Sequence, residues 1–112
     1  MPRKGRDLER LVQVLEQSGF HSEGVAIQSP GYVEDAKTHT KREFDLLAHK
    51  KVAHHELLLA FECRDRKVPV GVPDVEGFAA KCSDCHIDHK IIVSSSGFSD
   101  PAKTKADAYG IH

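Results

Sequence analysis

Polar and apolar positions along this chain change period several times, from helical to extended and back. Between Arg6 and Ser18, Leu8, Leu11, Val12 and Leu15 recur at i, i+3, i+4 and i+7. That spacing gives one buried helical stripe, and Gly19 supplies a stop. Val25 to Gln28 reads as a short strand, closed by a turn at Ser29-Pro30-Gly31. Lys41 to Ala48 (KREFDLLA) predicts a second strand, with Phe44 and Leu46 on one face and Glu43, Asp45 and Leu47 on the other. His49 to His55 is polar and predicts a loop, which makes Glu56 to Arg64 the neighbouring strand of a hairpin or meander. The unbroken apolar run from Leu57 to Phe61 within it fits a strand covered on both faces.

Pro69 and Pro73 punctuate the next connection, and a helix is expected from about Pro73 to Cys85 with Val75, Phe78, Ala79 and Cys82 inward. Lys90 to Ser94 (KIIVS) is a β-branched last strand. The turn Ser94 to Phe98 leads into a final helix, with Asp100 at its N-cap and Pro101 at the first helical position. Helix, three strands, helix, strand, helix is the order of an α/β sandwich with a mixed sheet. A chain of 112 residues builds one core, so residues 1–112 are expected to form a single domain.

Composition narrows the setting. The longest apolar run is too short to cross a bilayer, and the start MPRKGRDLER lacks the apolar stretch of a signal peptide. No membrane association and a cytoplasmic location are therefore expected, with Cys63, Cys82 and Cys85 as reduced thiols. The 16 basic and 17 acidic residues leave a formal net charge of −1, which by itself does not announce nucleic-acid binding. Basic residues nevertheless cluster at Arg3/Lys4/Arg6, Lys41/Arg42, Lys50/Lys51 and Arg64/Arg66/Lys67.

The chemistry sits where the apolar run drives into Glu62, Cys63 and Arg64. A buried strand has no structural need for charges at its end, and the period of two puts Glu62 and Arg64 on the same face. If the two long strands pair, Asp45 approaches Glu62 closely enough to share a divalent cation. Two carboxylates and a backbone carbonyl, that of Cys63, are the hard oxygen ligands magnesium prefers. The competing reading is a pair of strand-end charges making surface ion pairs.

Asp45, followed by Glu62-Cys63-Arg64 at the end of a hydrophobic strand, resembles the PD-(D/E)xK nuclease signature in its Mrr-like restriction endonuclease branch. Three further segments resemble that branch in order: DLERLVQVLEQSGF, RKVPVGVPDVEGFAAKC and KIIVSSSGFSDPAKTKADAYGI. The resemblance implies a restriction-endonuclease-like sandwich, a mixed central β-sheet flanked by helices. It implies a DNA endonuclease using Mg2+ or Mn2+, with Asp45 and Glu62 as metal ligands and Glu9 as an auxiliary acidic group. It also implies a homodimer, or association with a DNA-recognition partner, because cutting a duplex needs two such sites. One departure matters. Arg64 stands where the family pattern has lysine, and arginine cannot lose its proton, so it orients water or stabilises phosphate charge instead. Lys67 is a candidate substitute.

Two other motifs compete for attention. Cys82-Ser-Asp-Cys85-His86-x-x-His89 offers two thiols and two imidazoles to zinc, although Cys82 lies on the apolar stripe of its helix, where cysteine serves as a small hydrophobe. The Ser94 to Phe98 turn either contacts a DNA phosphate at the following helix start or is turn chemistry, with Phe98 packing inward. Three functions stay open: a nuclease, a non-catalytic DNA-binding or assembly module of the same fold, and a small zinc or thiol-redox protein.

Overall fold

The computed structural model describes residues 25–112; the helix expected at 6–18, and with it Glu9, lies outside the described residues. Six strands and two helices follow: β1 (Val25–Gln28), β2 (Gly31–Glu34), β3 (Lys41–Phe44), β4 (Leu46–Val52), β5 (His55–Arg64), α1 (Val72–Asp84), β6 (His89–Ser94) and α2 (Asp100–Ala108). The main sheet has the order β1-β4-β5-β6, and β2 and β3 form a separate hairpin. β4 runs antiparallel to β1 and β5, while β5 and β6 are parallel through the crossover that contains α1. The expected mixed sheet is what forms.

The run Leu57–Phe61 lies at the sheet centre and serves both faces. Ala60 belongs to one apolar cluster, with Phe44, Leu47, Val75, Phe78, Cys82, Ile92 and Ala102, so this face carries α1 and α2. Leu59, Phe61 and Cys63 belong to a second cluster with Leu46, Ala48 and Ile91. Alternation along β5 therefore sends Glu62 and Arg64 toward α1.

Four expectations are corrected. The strand expected over Lys41–Ala48 is two strands, β3 and β4, broken at Asp45. Phe44 and Leu46 consequently do not share a face: Phe44 joins Leu47 under α1, and Leu46 joins the opposite cluster. The polar stretch His49–His55 is mostly strand, because β4 runs to Val52 and only Ala53 and His54 turn the chain into β5. Its outer residues are exposed, so this end of the hairpin projects beyond the core and its ladder needs no apolar side chains. At α2 the N-cap is Ser99, whose hydroxyl accepts from the Ala102 N–H at 3.2 Å; Asp100 and Pro101 are the first helical residues.

The β2–β3 hairpin is fixed over β4 by a close approach. A Cβ added at Gly31 would lie 2.6 Å from the Leu47 side chain, so only glycine fits there. Its turn is organised by Asp35, 1% exposed, which accepts from the N–H groups of Lys37 (2.8 Å) and Thr38 (3.1 Å) and pairs with Arg42 at 2.9 Å. Burial pushes the Asp35 carboxyl up, but these three partners together outweigh it and hold the group below the usual carboxylate range. At the far edge of the sheet, Ile111 and His112 return to β6: the His112 N–H donates to Lys90 O and the Ile92 N–H to His112 O, both at 2.9 Å. Among the described residues no helix is long and apolar enough to cross a membrane.

Candidate functional site

The break between β3 and β4 is what delivers Asp45. Leu46 pairs with Phe61, and Asp45, in the break just before that ladder, reaches the backbone of Cys63. Its position is held twice. The Asp45 carboxylate accepts from the Cys63 N–H at 2.7 Å, and its carbonyl accepts from the Ser29 hydroxyl at 2.8 Å. Asp45 is thereby fixed near the end of β5 that carries Glu62, 17 positions further along the chain.

Glu62 is 6% exposed at the end of β5, and a carboxylate so placed requires charged partners. It has two. Arg64 Nη1 lies 3.1 Å from Glu62 Oε2, and Lys81 Nζ lies 2.9 Å from Glu62 Oε1. Arg64 follows Glu62 on the same face, as the period of two requires. Lys81 comes from α1, and the sequence reading missed it. Its ammonium also donates to the Glu43 carbonyl and stands 4.1 Å above the Phe44 ring. Phe44 in turn meets Phe78 edge-on, centroids 6.4 Å apart. The available signal was helical spacing: Asp74, Phe78 and Lys81 follow i, i+4, i+7, one face of α1. Lys67, the substitute suggested by sequence, is exposed on the loop after β5 and does not line the site.

A cleft of about 230 Å³ opens between the end of β5 and the first turns of α1. Glu62, Arg64, Pro73, Asp74, Gly77, Phe78 and Lys81 line it, whereas Asp45 and Lys67 do not. At its mouth Asp74 accepts from the Gly71 N–H at 3.1 Å and from Arg66 at 2.7 Å, with Arg64 Nε 3.9 Å away. Burial pushes the Asp74 carboxyl up, but the amide and the two guanidiniums prevail and hold it below its ordinary value.

The donor set fits a hard divalent cation. Asp45 and Glu62 supply carboxylate oxygens at one end of adjacent strands, and magnesium is commonly held by one or two carboxylates, with water filling the remainder. Among the described residues no group of three or more His, Cys, Asp or Glu side chains gathers. The same fact removes the zinc reading. Cys82 and Cys85 are buried at 0% and 2%, whereas His86 is exposed, and the four side chains do not converge. Burial pushes the Cys82 thiol up to about 12 and also raises Cys85, so both remain protonated and pack as small hydrophobes.

The serine turn is scaffold. Ser94 Oγ donates to Gly97 O at 2.9 Å, and the Ser95 and Ser96 hydroxyls donate to Arg66 O, tying the turn to the segment after β5. Phe98 packs against the α1 cluster.

Comparison with known proteins agrees with this architecture. The crystal structure of a protein of unknown function, AF1548, superposes with a TM-score of 0.67 at 20% identity. The match covers 88% of this chain but 52% of that one, so the chain spans about half the length of this neighbour, and the likeness speaks for the fold alone. No curated protein matches the chain. A family model described as restriction endonuclease matches residues 3–112. With that span, the mixed sheet and the strand-end carboxylates in the expected order, the chain belongs to the Mrr-like restriction endonuclease family.

Proposed function

We propose that the chain is a metal-dependent DNA endonuclease that hydrolyses phosphodiester bonds in the cleft beside Glu62. The observation that supports this reading is the bond from the Cys63 N–H to Asp45, which fixes that carboxylate at the strand end next to Glu62 in sequence. Asp45 and Glu62 would hold Mg2+ or Mn2+, with the Cys63 carbonyl as a further oxygen and Glu9 as an auxiliary acid. A bound divalent cation supplies Lewis-acid activation of water and of the phosphate. The protein's own contribution is electrostatic. Arg64 keeps its proton and presents a fixed positive charge to the phosphoryl oxygens as charge develops there. Lys81 holds the Glu62 carboxylate from the opposite side and prevents it from swinging out of the cleft. Cutting both strands of a duplex calls for a homodimer or a DNA-recognition partner, and the cytoplasmic setting expected from sequence accords with a DNA substrate.

One feature favours a second reading, a DNA-binding module without catalysis: Glu62 already has two cationic partners. Incubating plasmid with the protein and Mg2+ or Mn2+, beside Glu62→Ala, separates the two. The nuclease reading expects nicking or linearisation by the wild type and a loss of roughly a hundredfold or more in the variant. Equal cutting by both proteins would sink it, and retention of plasmid without cutting by either would establish the binding module.

A further inference from the structure

Two guanidinium groups converge on one carboxylate at the mouth of the cleft. Asp74 binds Arg66 at 2.7 Å and faces Arg64 Nε at 3.9 Å, while the other arm of Arg64 reaches Glu62. Helix capping accounts for one of these contacts only, the Gly71 N–H on Asp74. It leaves both arginines unexplained, because partly exposed ion pairs add little to stability. The backbone that carries them is nevertheless fixed. The Ser95 N–H donates to Arg64 O at 3.2 Å, and the Ser95 hydroxyl donates to Arg66 O at 3.3 Å. The side chains stay accessible: Arg64 is 30% exposed, Arg66 43% and Asp74 26%.

A carboxylate and a phosphodiester offer a guanidinium the same thing, two anionic oxygens matched to its fork of donors. We infer that Arg64 and Arg66 form a binding fork for a DNA backbone phosphate next to the Glu62 site, and that Asp74 fills that place in the free protein as the counter-ion the phosphate displaces. The inference rests on the nuclease reading for the identity of the polyanion and adds where the strand enters. Asp74 then weakens DNA binding: it restrains both arginines and repels the incoming phosphate. In a protein with a net charge of −1, such a local device determines how salt acts on binding.

The test measures binding of a short DNA duplex to the full chain by fluorescence anisotropy, in EDTA, across a salt series. Asp74→Asn keeps an oxygen for the Gly71 N–H and removes the charge. It is expected to bind roughly tenfold tighter at low salt, with the plot of log affinity against log salt steeper by about one phosphate contact. Arg66→Gln is expected to bind more weakly, with a slope shallower by the same amount. Wild-type binding with unchanged affinity and slope in Asp74→Asn overturns the inference and leaves the nuclease reading intact. Should Asp74→Asn fail to fold, a wild-type slope in Arg66→Gln overturns it equally. Absence of binding by every variant at low salt overturns the inference, while the plasmid assay with Mg2+ or Mn2+ decides the nuclease reading separately.

Discussion

Glu62 shows how a single residue ties fold to chemistry here. Buried charge is tolerated only when partners surround it, and Lys81 and Arg64 approach its two oxygens from a helix and from its own strand. Lys81→Met should therefore cost about 1–3 kcal/mol of stability, since it leaves Glu62 with one cation. Adding Glu62→Gln should return part of that cost, with a coupling energy of about 0.5–3 kcal/mol in a double-mutant cycle read by denaturant unfolding. Strictly additive costs would mean the pair does not hold the site together. The sequence exposed Glu62 and Arg64 because strand periodicity is local. Lys81 stayed hidden because helical spacing only puts it on the Phe78 face, and its partner is set by how α1 docks on the sheet.

At the scale of elements, the β2–β3 hairpin and α1 are linked through the turn that Asp35 organises. The Ala36 N–H donates to Asp84 O at 2.9 Å, and Lys37 pairs with Asp84 at 3.0 Å, so this turn is fastened to the end of α1. The lowered carboxyl of Asp35 gives a stabilisation that is complete above about pH 4, the unfolded value, and is lost as pH falls through the folded one. Asp35→Asn should accordingly lower the thermal midpoint at neutral pH, and the gap to wild type should close in acid. A gap that persists unchanged to about pH 2 would contradict this linkage. Element types were largely legible in the sequence, while the break at Asp45 was not. The run KREFDLLA alternates well enough for one strand, and only the packing of Phe44 and Leu47 together under α1 forces the chain to bend. The far half of the β4–β5 hairpin was misread for the opposite reason, since polar residues beyond the core still complete a ladder.

For the whole molecule, all three cysteines of the chain are buried: Cys63 at 8%, Cys82 at 0% and Cys85 at 2% exposure. With Cys82 raised to about 12, native protein should react with a thiol reagent only as it opens. The rate for Cys82 should follow global unfolding across a denaturant series, and rapid modification of the native state at neutral pH would show that the α1 core is looser than its packing implies. The sheet, its mixed direction and its two-faced centre were readable because each follows from hydrophobic period and turn chemistry. The cleft was not, because it is a space between β5 and α1, and a sequence describes its walls separately.

The two-residue turn at Ala53 and His54 has a consequence for assembly. Hairpins closed by short turns form early, since little chain entropy is lost in bringing their ends together, whereas β6 and α1 must close a longer loop. Glu62 and Arg64 both ride on the strand that zips from that turn, so they are in place before Lys81 of α1 arrives. During folding Arg64, on the same strand, is then the first cation to meet Glu62, and docking of Lys81 supplies the second.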